Sequence, residues 1–223
     1  MIRFDNVSKR YPSGQEALSE LSFELAQGEM AFVTGHSGAG KSTLLKLIAL
    51  LDRPTRGQVH VNGRNLADTR RRGIPRWRRG IGMVFQDHRL LMDRSVFDNV
   101  ALPLLIAGLP REETAKRVRA ALDKVGLLAK EKSSPLALSA GEQQRVGIAR
   151  AIVGKPPVII ADEPTGNLDP QLSSEIMQLF AEFGAVGTTV LVASHDLHLV
   201  KRLNKRVLVL DHGKLIDDFR PAP

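Results

Sequence analysis

The chain has 223 residues, of which 43% are hydrophobic and 25% are charged, a composition that excludes an intrinsically disordered chain. Lysine and arginine total 32 against 24 acidic residues, and the resulting net charge of +8 favours anionic partners: nucleic acid, acidic lipid headgroups or phosphate ligands. Cysteine is absent from the sequence, which excludes disulfides, thiolate metal sites and cysteine nucleophiles.

No stretch of the sequence predicts a membrane span. The best apolar run, residues 100–109, is interrupted by Pro103 and falls short of the roughly 20 residues that a spanning helix needs. The N-terminal residues include the acid Asp5 and no apolar segment, so we expect no signal peptide. Any membrane role is therefore expected to be peripheral.

Hydrophobic patterns in the first part of the chain predict short strands around one buried helix. Strands are predicted at 1–7, 21–25, 31–33, 58–61 and 81–85, and the helix at 42–51. The second strand is expected to be the hairpin partner of the first.

The rest of the chain predicts a helix-rich segment followed by alternating strands and helices. Helices are predicted at 111–125, 141–153 and 171–183, strands at 158–161 and 189–193, and a hairpin at 206–216 that turns at 211–213. Because 158–161 is continuously apolar, we expect a central parallel strand that is covered on both faces. The alternation predicts a parallel sheet wrapped by helices, with the helix-rich middle inserted into it.

Residues 35–42 carry the first chemical motif. They read Gly-His-Ser-Gly-Ala-Gly-Lys-Ser and fit G-x-x-x-x-G-K-[ST] between a predicted strand and a predicted helix. Backbone N–H groups of such a loop, with the positive end of the helix, bind phosphate oxygens. Lys41 is expected to reach the β- and γ-phosphates of a nucleotide, and Ser42 to hold Mg²⁺. A chance glycine-rich turn would lack this context.

Residues 158–163 carry the second motif, an apolar strand that ends in Asp162 and Glu163. At the carboxyl edge of a parallel sheet, Asp162 could hold the magnesium shell and Glu163 could act as base toward an attacking water. An Asp-Glu pair alone is typical of a solvated turn. The apolar strand before it and the phosphate loop upstream favour the catalytic interpretation.

Between these motifs, residues 138–145 read Leu-Ser-Ala-Gly-Glu-Gln-Gln-Arg. Here the sequence resembles the ATP-binding-cassette (ABC) ATPases, whose signature reads LSGGQ, and the resemblance covers essentially the whole chain. Ala140 stands in place of the first signature glycine and Glu142 in place of the glutamine, whereas Gly141 is kept. These departures bear on the rate of hydrolysis and not on the class.

The resemblance implies an α/β fold of the P-loop NTPase (ABC ATPase) type. It would combine a mostly parallel RecA-like sheet, a small antiparallel β subdomain and an inserted α-helical subdomain. A single domain over residues 1–223 is expected, with a nucleotide-binding core at about 1–86 and 156–223 and the helical subdomain at about 87–155.

The resemblance also implies roles for individual residues. Tyr11 would stack on adenine, Gln86 would sense Mg²⁺, and His195 would contact the γ-phosphate; the D-loop would be 167–169. The implied sets are, for ATP, Tyr11, Gly35, His36, Ser37, Gly38, Ala39, Gly40, Lys41, Ser42, Thr43 and Gln86; for catalysis, Lys41, Glu163 and His195; for Mg²⁺, Ser42, Gln86 and Asp162; for the D-loop, Asp169; and for a signature acting in trans, Ser139, Ala140, Gly141 and Glu142. From the residues alone, Tyr11 could also be an exposed loop aromatic and His195 a plain surface or core histidine.

Within the ABC ATPases, His36 and the run 86–88 make the chain most similar to the FtsE group, the bacterial cell-division ATPases. This implies an ATPase that uses ATP and Mg²⁺ at the cytoplasmic face of the inner membrane. Its implied partners are an FtsX-like integral membrane protein, a second copy in an ATP-dependent homodimer, and division-ring proteins. The alternatives are the ATPase of a lipoprotein-release or macrolide-type exporter and an ABC ATPase acting on nucleic acid. The last is disfavoured, because the chain holds one cassette and no long insertion.

Two further segments are candidates for contacts at a membrane. Residues 70–79 hold six arginines and Trp77. A charge run is usually a solvated face, but this one could face anionic headgroups or a partner. Residues 87–109 are rich in apolar side chains, most of which should pack in the core. A minority, such as Leu91 and Met92, could form a groove for a helix of the membrane partner.

Overall fold

Two β-sheets organise residues 1–166 and 168–221, the part of the chain that the computed structural model describes. The strands are β1 (Ile2–Arg10), β2 (Glu16–Leu25), β3 (Met30–Thr34), β4 (Arg56–Val61), β5 (Arg64–Asn65), β6 (Ile81–Val84), β7 (Val158–Asp162), β8 (Thr189–Ala193), β9 (Arg206–Asp211) and β10 (Lys214–Phe219). The helices are α1 (Lys41–Ile48), α2 (Ile74–Arg78), α3 (Val96–Ile106), α4 (Arg111–Lys124), α5 (Ala140–Ile152), α6 (Pro170–Ala185) and α7 (Leu197–Leu203).

The larger sheet has the order β10-β9-β3-β8-β7-β6. All neighbours in it are parallel except the edge strand β10, which pairs antiparallel with β9. Alternate residues of β3 enter opposite cores: Phe32 packs among α3 to α6, whereas Ala31 and Val33 pack on the side of α1. Burial on both faces explains the continuously apolar strands, and the prediction of a parallel sheet wrapped by helices is confirmed.

The smaller sheet has the order β2-β1-β4-β5 and is antiparallel throughout. Its hairpin β1–β2 pairs Ile2 with Leu25 and Phe4 with Phe23, whose rings stack with centroids 4.8 Å apart. The buried face of this sheet shares one core with α1. The predicted hairpin and the small antiparallel subdomain are therefore confirmed.

Three helices, α3, α4 and α5, lie between β6 and β7 and pack on the opposite side of the larger sheet from α1. Helix α3 begins with a capping box, in which the Asp98 N–H donates to Ser95 Oγ at 3.0 Å and the Ser95 N–H donates to Asp98 Oδ2 at 3.3 Å. The helix-rich insertion is confirmed. No helix in 1–166 or 168–221 is both long and apolar enough to cross a bilayer.

The helices differ from the predicted ones in two respects. The helix predicted over 42–51 ends at Ile48, because Leu50 takes a positive φ of 51° and the Leu51 N–H turns back to the Lys46 carbonyl. Helices α2, α3 and α7 were not among the predicted elements. Two of them have only five and seven residues, and α3 is apolar on nearly every side, so that no helical period stands out.

Candidate active site

The loop over 35–41 joins β3 to α1 and is held close to two neighbouring strands. Gly35 and Gly40 have φ values of 146° and 106°. A Cβ on Gly35 would lie 2.2 Å from the Leu210 carbonyl oxygen, and one on Gly40 would lie 2.5 Å from the Ala17 carbonyl oxygen. Both positions therefore require glycine, through backbone conformation and through space. The loop has one fixed shape.

Lys41 is the first residue of α1 and is buried. Its Nζ donates to the carbonyl oxygens of Gly35 at 2.7 Å and of His36 at 3.1 Å, which holds the ammonium group over the loop. The N-cap is Gly40, which has no side chain to bond the first N–H groups of the helix. These donors and the Lys41 charge together make a site for a multiply charged anion.

His36 is placed differently from its neighbours in the loop. Its ring lies between the Ser37 carbonyl oxygen, 2.6 Å from Nδ1, and the Asp211 carboxylate, 3.0 Å from Nε2. Each ring nitrogen thus faces an acceptor. The ring of His212 lies 4.8 Å away, so the turn between β9 and β10 packs against the loop.

Two carboxylates, Asp162 and Glu163, lie at the end of β7 and line the same cleft as the loop over 35–41. Burial raises the pKa of Asp162; the Ser42 hydroxyl opposes this rise through a hydrogen bond, and the charge of Glu163 adds to it. Asp162 Oδ1 is buried and has no hydrogen-bond partner among the described residues. An unpartnered carboxylate oxygen beside a serine hydroxyl fits a hard divalent cation such as Mg²⁺.

Glu163 and His195 are in direct contact. Nδ1 of His195 lies 2.8 Å from Glu163 Oε2, and the His195 backbone N–H donates to the same oxygen at 3.4 Å. Glu163 takes a left-handed backbone conformation with φ 49°, fixed by its N–H bond to the Ala193 carbonyl of β8. Such strained positions concentrate at functional sites. The carboxylate is largely shielded, with its side chain 14% exposed, whereas the imidazole is 73% exposed.

These groups line one cleft of about 750 Å³, a volume typical of a small-molecule site. Tyr11 closes one side: it is half-buried, and its hydroxyl lies 3.2 Å from Thr43 Oγ1. The lining residues are Tyr11, Gln15, Ala17, Gly35, His36, Ser37, Gly38, Gly40, Lys41, Ser42, Thr43, Lys46, Gln86, Asp162, Glu163, Gly166 and His195. The structure thus brings together every residue predicted for ATP, Mg²⁺ or catalysis except Ala39, which is buried.

The signature residues lie elsewhere: in the described parts of the chain, none of residues 139–142 lines this cleft. Ser139 is the N-cap of α5 and forms a capping box with Glu142, whose N–H lies 3.3 Å from Ser139 Oγ. The Lys130 ammonium and the Ser139 N–H, both donating to this carboxylate, lower the pKa of Glu142 to about 2. Ser139 and Ala140 are exposed. The end of α5 is therefore exposed and does not form part of the cleft of its own chain.

The predicted D-loop falls partly outside the described residues, since Asn167 is not among them. Asp169 is the N-cap of α6, where its Oδ1 accepts from the Leu172 N–H at 3.0 Å. It does not line the cleft formed by the described residues.

Sequence reasoning missed the side chain that ties the segment after Gln86 to α5. Arg150 donates through Nη1 to the Arg89 carbonyl and through Nη2 to the His88 carbonyl, both at 2.6 Å. His88 and Arg89 both have positive φ, and burial lowers the pKa of Arg150. No periodic pattern signals such a contact. The capping box, by contrast, could have been found from the Ser-x-x-Glu spacing over 139–142.

Comparisons with known proteins agree on one family. The family model for ABC transporters matches residues 18–166. The chain is 58% identical over 215 residues to the cell division ATP-binding protein FtsE of Escherichia coli, covering 96% of this chain and 97% of that protein. It is 46% identical over 218 residues to FtsE of Bacillus subtilis, covering 98% and 96%.

Solved structures match over the whole length. The fold superposes on the dimeric structure of a bacterial ABC transporter cassette with a TM-score of 0.95, at 35% identity and with all of both chains covered. A post-hydrolysis dimer of that cassette, bound to ADP and Pi, gives the same TM-score at 34% identity.

Proposed function

The chain belongs to the ABC transporter family, and on that premise we propose that it is the ATP-hydrolysing subunit of an FtsE-type complex in bacterial cell division. The cell-division assignment is supported by identities of 46% and 58% to two curated FtsE proteins over nearly their full lengths. The observation that carries the chemistry is the convergence of the phosphate loop, Gln86, Asp162, Glu163 and His195 on one cleft.

ATP binding follows from the charges around the loop. The phosphates would accept hydrogen bonds from the loop N–H groups and from Lys41, whose ammonium already lies at the mouth of the loop. The Tyr11 ring would stack on the base at the opposite side of the cleft. Ser42, Asp162 and Gln86 would hold Mg²⁺, which when bound would neutralise phosphate charge.

Hydrolysis follows from the pair Glu163 and His195. A shielded carboxylate at the sheet edge would orient the attacking water and accept its proton. Two groups of His195 hold the Glu163 carboxylate in position, because Nδ1 and the backbone N–H both lie within hydrogen-bond distance of Oε2. The other carboxylate oxygen would then orient the water, and the exposed imidazole would contact the γ-phosphate.

A second copy of the chain would complete the site. The N-terminus of α5 starts at the exposed Ser139, and Gly141, whose N–H is not used by the capping box, would present a donor and the helix dipole to the γ-phosphate of a partner chain. ATP would then favour a closed homodimer, because only the closed state surrounds the phosphate on both sides. The dimeric cassettes that superpose on this chain support this arrangement.

The proposed membrane contact lies within the helical subdomain of the proposed domain division. We propose a nucleotide-binding core at about 1–86 and 156–223 and a helical subdomain at about 87–155, supported by the position of α3 to α5 between β6 and β7. An FtsX-like membrane protein would bind beside Gln86, where Leu91 and Met92 are 41% and 43% exposed. The chain would thus lie peripherally on the cytoplasmic face of the inner membrane.

Calorimetry with Lys41→Ala tests the nucleotide assignment. We expect ATP affinity to fall at least about tenfold, because a charge-assisted hydrogen bond contributes roughly 1.5–3 kcal/mol. The matched control is Lys124→Ala, an exposed lysine at the end of α4. Unchanged affinity in Lys41→Ala would refute the assignment of the loop.

Fractionation of cells that also express the membrane partner tests the membrane assignment. Leu91→Glu and Met92→Glu should shift the protein from the membrane fraction to the soluble fraction, while the purified variants still bind ATP. Val186→Glu, at a 79% exposed position after α6, is the control for an added surface charge. If Leu91→Glu and Met92→Glu both stay with the membrane, the partner surface lies elsewhere.

A further inference from the structure

The arginine-rich segment 70–79 is anchored on one side and open on the other. A short 3₁₀ turn over 71–73 leads into α2, whose first turn contains Pro75. Trp77 points inward: its Nε1 donates to the Ile48 carbonyl at 3.0 Å, and its ring packs on the core shared by α1 and the small sheet. The segment is therefore a fixed surface and not a loose charged loop.

Two of its six arginines are used internally. Arg78 donates to the Ala49 and Leu50 carbonyls at 3.2 and 2.8 Å, which satisfies the C-terminal end of α1. Arg79 donates to the Ile106 carbonyl at 3.2 Å, at the end of α3.

The other four arginines form what is called here the arginine face: Arg70, Arg71, Arg72 and Arg76. All four are exposed, and within 1–166 and 168–221 none of them makes an ion pair or a side-chain hydrogen bond. Asp68 is the only acid in the sequence between residues 53 and 86. The face thus presents four unpaired positive charges with one acid near them in the sequence, which favours an anionic partner.

Exposed apolar side chains lie at the end of the segment that carries the arginine face. The bond from Arg79 to the Ile106 carbonyl places the end of α2 against the end of α3, where Leu105 and Ile106 are 50% and 56% exposed. The same helix holds Leu91 through Asn99, whose Oδ1 accepts from the Leu91 N–H at 2.7 Å. The arginine face is therefore linked through α3 to the surface proposed for the membrane partner.

We propose that the arginine face, with Leu105 and Ile106 beside it, binds the anionic phospholipid headgroups that surround the membrane partner. Basic side chains flanked by apolar ones match a bilayer surface, where phosphates lie above acyl chains. A nucleic-acid backbone offers phosphates but no apolar layer, and the one aromatic ring of the segment, Trp77, is turned inward. The orientation toward a membrane rests on the proposed function, whereas the charge and the apolar flank do not.

Vesicle flotation with the purified full-length chain tests the proposal. The probes are vesicles of phosphatidylcholine alone and vesicles that also contain phosphatidylglycerol. We expect binding to the second kind only, weakening as salt rises. Replacing the four arginines of the face by glutamine should weaken binding roughly 100- to 1,000-fold, since each basic residue near an anionic surface contributes about one factor of five.

A matched control removes the same charge elsewhere. Glutamine replaces four exposed basic residues in the helical segment: Arg111, Lys116, Lys124 and Lys132. This variant should bind vesicles within a few-fold of the wild type. Equal loss in both variants would mean attraction by net charge alone and would overturn the proposal, as would equal binding of the wild type to both kinds of vesicle.

Two further measurements complete the test. Calorimetric ATP binding by both variants shows that they are folded, and Leu105→Gln with Ile106→Gln should weaken vesicle binding without changing the net charge. Duplex DNA that binds through the same four arginines and displaces the vesicles would overturn the proposal in favour of a nucleic-acid surface. The assay contains no partner and no hydrolysis step, so its failure leaves the proposed ATPase function standing, and the reverse also holds.

Discussion

The cleft at the edge of β7 and the N-terminal end of α5 are both proposed to bind phosphate, but they differ in how far their polar groups are already satisfied. The cleft brings together side chains from several strands, and one of its polar atoms is unsatisfied. Asp162 Oδ1 is buried and has no hydrogen-bond partner among the described residues. The end of α5 is exposed, and its capping box occupies two of its donors, the N–H groups of Ser139 and Glu142.

This difference indicates how the proposed reaction would be divided between two chains. The cleft carries the charges that would bind phosphate and the carboxylate that would activate water, whereas α5 would offer only N–H donors and a dipole. The N-terminal end of α5 has no ligand in its own chain, and it is stable because Glu142 caps it. It therefore needs no partner's nucleotide to satisfy the capped N–H groups.

The largest expected effect is on the side of the cleft. Glu163→Gln should slow hydrolysis at least about 100-fold, because it removes a general base while keeping the shape of the side chain. ATP should still bind, and light scattering should show a dimer in ATP and Mg²⁺. Glu175→Gln, an exposed position on α6, serves as the control. Normal phosphate release by Glu163→Gln would remove Glu163 from the mechanism.

Mixing two inactive variants tests whether the two regions work across chains. Ser139→Arg blocks the end of α5 and Glu163→Gln disables the cleft, so each homodimer has two defective sites. A mixed dimer has one intact cleft facing one intact helix end, and an equal mixture should therefore regain up to about a quarter of wild-type turnover. No recovery, from variants that both fold and dimerise, would mean that each chain acts on its own nucleotide alone.

A smaller effect is expected at the contact between the last turn of α5 and the segment that follows Gln86. Arg150→Lys leaves a single ammonium where a guanidinium bonds two carbonyls, those of His88 and Arg89. Losing one charge-assisted bond at a largely buried position should lower the free energy of unfolding by about 1.5–3 kcal/mol. Urea unfolding measures this. Arg117→Lys, which keeps its surface pair with Glu113, should change the same quantity by less than about 0.5 kcal/mol. Equal effects would mean that the Arg150 contact adds no stability.

Most of the fold could be predicted from the sequence, because the strongest signals in the sequence are local. Apolar runs such as 158–161 and a glycine loop with fixed spacing each determine their own element. The contact between Glu163 and His195 joins the ends of two strands, and the bonds of Arg150 join α5 to a loop about 60 residues away. Such contacts depend on tertiary packing, which produces no periodic pattern of residues. They could therefore not be predicted from the sequence.

The smallest effect concerns the charge that completes the α5 cap. Glu142→Gln restores the residue that the ABC signature has at this position and can keep the capping box, since glutamine also caps from this place. It removes the ion pair with Lys130. Because the Lys130 side chain is 46% exposed, the loss of unfolding free energy at neutral pH should be below about 1 kcal/mol.

The pH dependence separates this charge from the rest of the cap. The pKa of Glu142 is lowered from 4.5 to about 2, so the folded state binds its proton less readily than the unfolded state. The stability that Glu142 contributes is therefore present above pH 4.5 and lost as pH falls toward 2. In urea unfolding, the gap between wild type and Glu142→Gln should narrow over that interval. The control Glu112→Gln, at an exposed position on α4 without an ion pair in the described residues, should show no such narrowing. A gap that stays constant from neutral pH to pH 3 would show that Glu142 caps α5 by its hydrogen bonds alone.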